Sequence, residues 1–128
     1  MAAGTTPIFP AAVNTTAAKA VTADSSRTTP TTGGVTIFTA GSNGSRLDKV
    51  FFCAVASTTA GDVRLFLYDA SAYYLWKEIN YPTITASTSV APWQYTLVES
   101  LVLKTGWTVI GTSDNGDDIH MIASGGDY

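Results

Sequence analysis

Gly61-Asp-Val-Arg-Leu-Phe-Leu-Tyr-Asp-Ala-Ser-Ala-Tyr-Tyr-Leu-Trp-Lys-Glu-Ile79 is the stretch on which the fold reading turns. Two runs rich in aromatic and aliphatic residues flank Asp69, Ala70, Ser71 and Ala72, a short break of small and polar residues. Strand runs around such a break predict a β-hairpin. Val63, Leu65 and Leu67 alternate with Arg64, Phe66 and Tyr68, and Tyr73, Leu75 and Ile79 alternate with Tyr74, Trp76 and Glu78. Successive strand side chains point to opposite faces, so one face offers aliphatic groups to a core. The other carries Arg64, Phe66, Tyr68, Tyr74, Trp76 and Glu78. That face is too aromatic for idle solvent surface and yet charged. It is expected to be covered, either by another part of this chain or by another protein.

A chain of 128 residues is one domain by length. Its single cysteine, Cys53, excludes an internal disulfide framework and reads as a small buried apolar residue within Phe-Phe-Cys-Ala-Val-Ala. Charged residues make up 13%, roughly half the usual share, and such a lightly charged surface favours contact with other protein. The formal net charge of -3 and the absence of any basic run argue against nucleic-acid binding, which needs clustered Lys and Arg. No apolar run approaches the roughly 20 residues of a spanning helix, and the first residues lack a signal-peptide pattern. A soluble chain folded in a cytoplasm, with no membrane partner, is the expectation.

Residues 1–16, with Pro7 and Pro10, are expected to form an extended N-terminal arm. The arm is either a frayed tail or a strap that lays Ile8, Phe9 and Val13 on a neighbour. Residues 17–128 form the domain proper. A first strand is expected at Lys19–Ala23, followed by a Ser, Thr and Pro loop through Gly34, a strand at Val35–Thr39 and a reversal at Asn43-Gly44. That glycine-rich turn is not a phosphate cradle, since no Gly-Lys-Ser/Thr or helix follows it. Leu47–Ser57 reads as a strand buried on both faces. After the hairpin come a connection between Pro82 and Pro92, a strand from Trp93, a turn at residues 103–107 and a strand at Thr108–Ser113. Asn115-Gly116 is a second reversal, and Ile119–Ser124 is expected to return antiparallel to its predecessor. About eight short strands with no amphipathic helix predict an all-β, antiparallel β-sandwich, jelly roll or small barrel.

Candidate chemistry is sparse. His120, the only histidine, alternates within a strand and reads as a polar-face residue. Asp114, Asp117 and Asp118 resemble a fragment of a calcium loop, but lack its twelve-residue spacing and terminal Glu. Asp62, Asp69, Glu78 and Glu99 read as isolated surface carboxylates. No catalytic residue, metal or cofactor is expected. The aromatics Phe66, Tyr68, Tyr74 and Trp76 fit three readings: core, subunit interface, or a platform on which sugar rings stack.

The stretches Thr-Ala-Gly-Ser-Asn-Gly-Ser-Arg-Leu-Asp-Lys-Val50, Val-Arg-Leu-Phe-Leu-Tyr-Asp69, Tyr-Tyr-Leu-Trp-Lys-Glu-Ile79, Leu-Lys-Thr-Gly-Trp107 and the terminal Gly-Gly-Asp-Tyr128 resemble, in this order, small structural proteins encoded beside the capsid genes of tailed bacteriophages. These are head decoration or cement proteins. The resemblance covers roughly residues 35–128 and leaves the arm outside. It implies a jelly-roll-like sandwich of about eight strands, often a homotrimer, that binds the major capsid protein on the virion surface and stabilises the capsid exterior, with no enzymatic activity. On that reading Ile8, Phe9 and Val13 are candidate anchors. Arg46, Arg64, Tyr68 and Trp76 are candidates for the contact between sister subunits. The alternative is a glycan- or receptor-binding module of a tail or head fibre, with Trp76 as the sugar platform.

Overall fold

The hairpin forms where the alternation places it. A computed structural model describes residues 10–128, which hold eight strands and no helix. They are β1 (Ala12–Ala20), β2 (Val35–Thr39), β3 (Ser45–Ala54), β4 (Gly61–Tyr68), β5 (Tyr73–Tyr81), β6 (Gln94–Leu103), β7 (Thr108–Ser113) and β8 (Ile119–Asp127). β4 and β5 pair antiparallel around residues 69–72. Asp69 ties this turn by accepting hydrogen bonds from the backbone N–H groups of Ser71 (2.9 Å) and Ala72 (2.8 Å), while Ala70 takes a positive φ of 78°. Those bonds, the Ala72 N–H first, hold the Asp69 carboxyl below its ordinary value.

Two antiparallel sheets of four strands, ordered β1-β8-β3-β6 and β2-β7-β4-β5, make a sandwich with the strand order of an eight-stranded jelly roll, as expected. Only β4 and β5 are sequential neighbours within one sheet. Every other connection crosses from one sheet to the other. The core between the sheets holds Ile37, Phe38, Leu47, Val50, Phe52, Val63, Leu65, Val109, Ile119 and Met121, with Tyr81 and Trp93 toward the β5/β6 side. The opposite side is closed by hydrogen bonds from β1 to the carbonyls of β2, Asn14 Nδ2 to Thr39 (3.0 Å) and Thr16 Oγ1 to Ile37.

Several expectations change. Residues 12–16, expected in the arm, belong to β1, which pairs along its whole length with β8. The first strand therefore ends at Ala20, where residues 19–23 were expected to carry it. Ile8 and Phe9 lie outside the described residues. β8 pairs with β1 and β3 and not with β7, because the turn after Ser113 carries the chain into the other sheet. β3 is buried on one face only: Leu47, Val50, Phe52 and Ala54 point inward, and Phe51 and Cys53 point out. Cys53 is accordingly half-buried on an outer face, its thiol directed at the Ala54 carbonyl.

Turn chemistry explains the remaining stretches that carried the family resemblance. Gly44, at φ 84°, lies so close to the Leu103 carbonyl that a Cβ there would be 2.8 Å from its oxygen. Asp127 accepts hydrogen bonds from Asn14 Nδ2 (2.8 Å) and the Ser45 hydroxyl, and Ser45 in turn accepts from the Gly41 N–H (2.8 Å). The β2–β3 turn and the end of β8 are thereby stitched to β1, and Asp127 is held below its ordinary value by the Ser45 and Asn14 bonds.

Candidate functional site

The two outer faces of the sandwich are the places where this fold can meet anything else, and they differ. On the β2-β7-β4-β5 sheet, the outward residues of β4 are Asp62, Arg64, Phe66 and Tyr68, whose partners on β7 include Thr112, Ile110 and Thr108. Phe66 is 0% exposed although it points away from the core. Residues 21–34 lie over this sheet. They are anchored by an Ala23–Ser113 bridge, by an Asp24 N–H to Ser113 carbonyl bond of 2.8 Å, and by the bidentate Arg27–Glu78 pair at 2.8 and 3.0 Å. Asp24 organises the loop by accepting from the backbone N–H groups of Thr31 (2.7 Å), Gly33 (3.1 Å) and Ser26 (3.3 Å). Burial pulls its carboxyl upward, but these three bonds outweigh it and leave the pKa lowered.

Arg64 is the centre of the covered face and is 3% exposed. It meets Asp114, Asp62 (3.3 Å) and Glu78 (3.5 Å), and Asn80 Nδ2 completes Asp62 with a 2.5 Å bond. Burial pushes Asp62 up, helped by the carboxylates of Glu78 and Asp114 beside it. Glu78, bonded to Arg27, is pulled down to about 2. Two cations thus hold three carboxylates, and the cluster joins the 21–34 loop, β4, β5 and the turn after β7. Arg64, a candidate for the sister-subunit contact, is enclosed within its own chain and unavailable for that role.

The aromatic stripe also divides. The β4–β5 register shifts between Leu65 and Phe66, which leaves Trp76 as an extra residue in β5. One inserted residue reverses the facing of its neighbours. Leu75 and Tyr73 therefore oppose Phe66 and Tyr68 on the outer face, while Trp76 packs against the core and Lys77 reaches Glu99 of β6 at 2.7 Å. Tyr68 stacks on Tyr73 with centroids 4.3 Å apart, and half-exposed Tyr74 stacks on Trp107 at 6.4 Å. Trp76, the sugar platform of the alternative reading, is thus partly buried against the core.

Among the described residues, nothing covers the outer face of β1-β8-β3-β6 in this way. Register places Ala17, Ile122, Phe51 and Thr96 in one row, Thr15, Ser124, Lys49 and Val98 in the next, and Val13, Gly126, Arg46 and Val102 beyond a bulge at Asp48. Phe51 is 37% exposed and Val98 and Val102 are each 66% exposed. Val13 (85% exposed) and Arg46, which pairs with Asp48 at 2.8 Å, border a hollow of about 310 Å³ at one end of this face. Lys19 and Lys49 add positive charge to this face, while Asp48 offsets that of Arg46. Two of the sequence candidates, Val13 and Arg46, are thus brought together here.

The remaining candidates are structural. Asp114 belongs to the Arg64 cluster, Asp117 accepts from the Thr59 N–H at 3.0 Å, and Asn115 Nδ2 bonds the Thr59 carbonyl at 2.7 Å. No group of three or more His, Cys, Asp and Glu side chains able to hold a metal exists among the described residues. His120 lies 3.4 Å from Asp118 without hydrogen-bond alignment. No helix among the described residues is long and apolar enough to cross a membrane. In comparison with known proteins, the chain matches no family model, and no curated protein matches it.

Proposed function

We propose that this chain is a non-enzymatic structural protein of a tailed-bacteriophage virion, which binds the outside of the head and stabilises it through subunit–subunit and subunit–capsid contacts. The observation that carries the reading is the open, weakly charged face of β1-β8-β3-β6, where Val13, Phe51, Val98, Val102 and Ile122 meet solvent. Four strands about 4.8 Å apart and some 30 Å long present roughly 500 Å². Burying that area on both partners comes to about 1,000 Å², the low end for a specific interface. At ~25 cal/mol per Å² the gain is offset largely by association costs, so a single contact is weak and many identical contacts on a lattice are needed. Lys19 and Lys49 suit a partner surface that carries acidic groups around an apolar centre. The partners of this reading are the major capsid protein and sister copies of the chain in a homotrimer.

Replacing Phe51 and Ile122 together by Asp tests it. The variant should stay folded, with a somewhat lower melting temperature because the two aspartates oppose each other across β3 and β8, and fail to sediment with heads of the parent phage that lack the protein. Undiminished occupancy of those heads by the variant would refute the assignment of this face.

A further inference from the structure

The sheet opposite the open face carries a cleft of about 360 Å³ between residues 30–34, the ends of β2 and β7, the β6–β7 turn and the tip of the β4–β5 hairpin. This volume sits at the small end of the ~300–1,000 Å³ typical of small-molecule sites. None of its lining residues is charged. One wall is the stacked pair Tyr68 and Tyr73, rings 4.3 Å apart and 18° from parallel. Ile110 and Pro30 supply apolar surface, and Thr31, Thr32 and Thr36 supply hydroxyls. At the rim, Gly106 has nothing within 4 Å of where a Cβ would stand, so the mouth is open.

We infer that this cleft binds a neutral saccharide. Anions find no cation there, and metal ions find no carboxylate or imidazole. A purely apolar ligand would strip water from hydroxyl groups without replacing those bonds. A pyranose satisfies both halves of the lining: its C–H face packs on an aromatic ring, and its hydroxyls donate to and accept from threonine and tyrosine hydroxyls. Because the two tyrosines brace each other, little side-chain freedom is lost on binding. The cleft and the open face lie on opposite sheets, so a copy seated by one leaves the other facing outward. Binding at a single shallow site is weak, and display in many copies converts it to avidity.

The test is a titration of the full chain, labelled with ¹⁵N, against maltotriose, lactose and tri-N-acetylchitotriose in turn, with sialyllactose as a charged control. Saturable shifts of the Gly34, Gly106 and Thr108 amides with at least one neutral sugar are expected. Tyr73→Ala should weaken that response by about tenfold or more, and Tyr73→Phe, which keeps the stacked ring, should retain most of it; the dispersion of the spectrum reports that each variant is folded. Phe51→Asp should bind the sugar as wild type does, which separates this inference from the proposed head-binding face. An absence of shifts with all three neutral sugars, a response only to sialyllactose, or shifts centred on Trp93 and Tyr95 would each overturn the assignment.

Discussion

Phe66 and Phe51 stand on the two outer faces of one sandwich, each on an inner strand of its sheet, and their fates differ: the first is sealed and the second is 37% exposed. The strands beneath them are equally capable of carrying an aromatic row. What separates the faces is the segment at 21–34, a loop of Ser, Thr, Pro and Gly that folds around the Asp24 carboxylate and clamps onto Glu78 through Arg27. Polar chain can therefore do the covering that an apolar face requires, provided its own backbone donors are satisfied. The other sheet has no equivalent segment among the described residues, which is why the proposed contact is placed there.

Three measurements break or sharpen this contrast. The largest effect is expected from Phe66→Ala, about 4 kcal/mol by urea denaturation, because it opens a cavity under an ordered loop. Phe51→Ala on the open face should cost about 1 kcal/mol or less, and equal costs would show that the two faces are alike. Next comes Arg64→Met, at about 3 kcal/mol, since Asp62 and Asp114 are left without their cation. Part of that loss should return when Asp114→Asn is added, which removes the charge and keeps an oxygen to accept from the Asp62 N–H; a further loss in the double variant would mean that the cluster is not held by charge. The smallest effect is the pH dependence. Glu78 is depressed from its ordinary 4.5 to about 2, so its contribution is complete above about 4.5 and disappears as pH falls toward about 2. Asp62 is raised and acts in the opposite sense: its contribution is present below the ordinary 3.8 and is lost as pH climbs through the raised value. Denaturation midpoints between pH 5 and about 2 should fall more steeply for wild type than for Glu78→Gln. Parallel curves would remove the Arg27 clamp from the account.

The hairpin was legible in the sequence because its turn and both strands are contiguous, and its β4 alternation correctly assigned Arg64 and Phe66 to the outer face. Strand spacing likewise pointed to an eight-stranded sandwich. Where β8 goes was not legible. Its partners β1 and β3 are remote in sequence, whereas the Asn115-Gly116 turn suggested the nearest strand. The extra residue at Trp76 was hidden too, since no glycine marks it and Tyr74, Trp76 and Glu78 keep a strand-like spacing. Covering of the Arg64 face was foreseen only as a choice between self and partner. A loop without hydrophobic periodicity gives no sign of what it will lie on. Of the proposed contact residues, Val13 and Arg46 do share a surface, but only through the β1-β8-β3 register, which no local pattern encodes.

The position of β8 between β1 and β3 has a consequence for biogenesis. While the ribosome is still making the earlier segments, β3 can pair with β6, but the slot between β1 and β3 stays empty. The nascent polypeptide must keep the edges of β1 and β3 from sticking to other chains until residues 119–127 emerge and slide in between them.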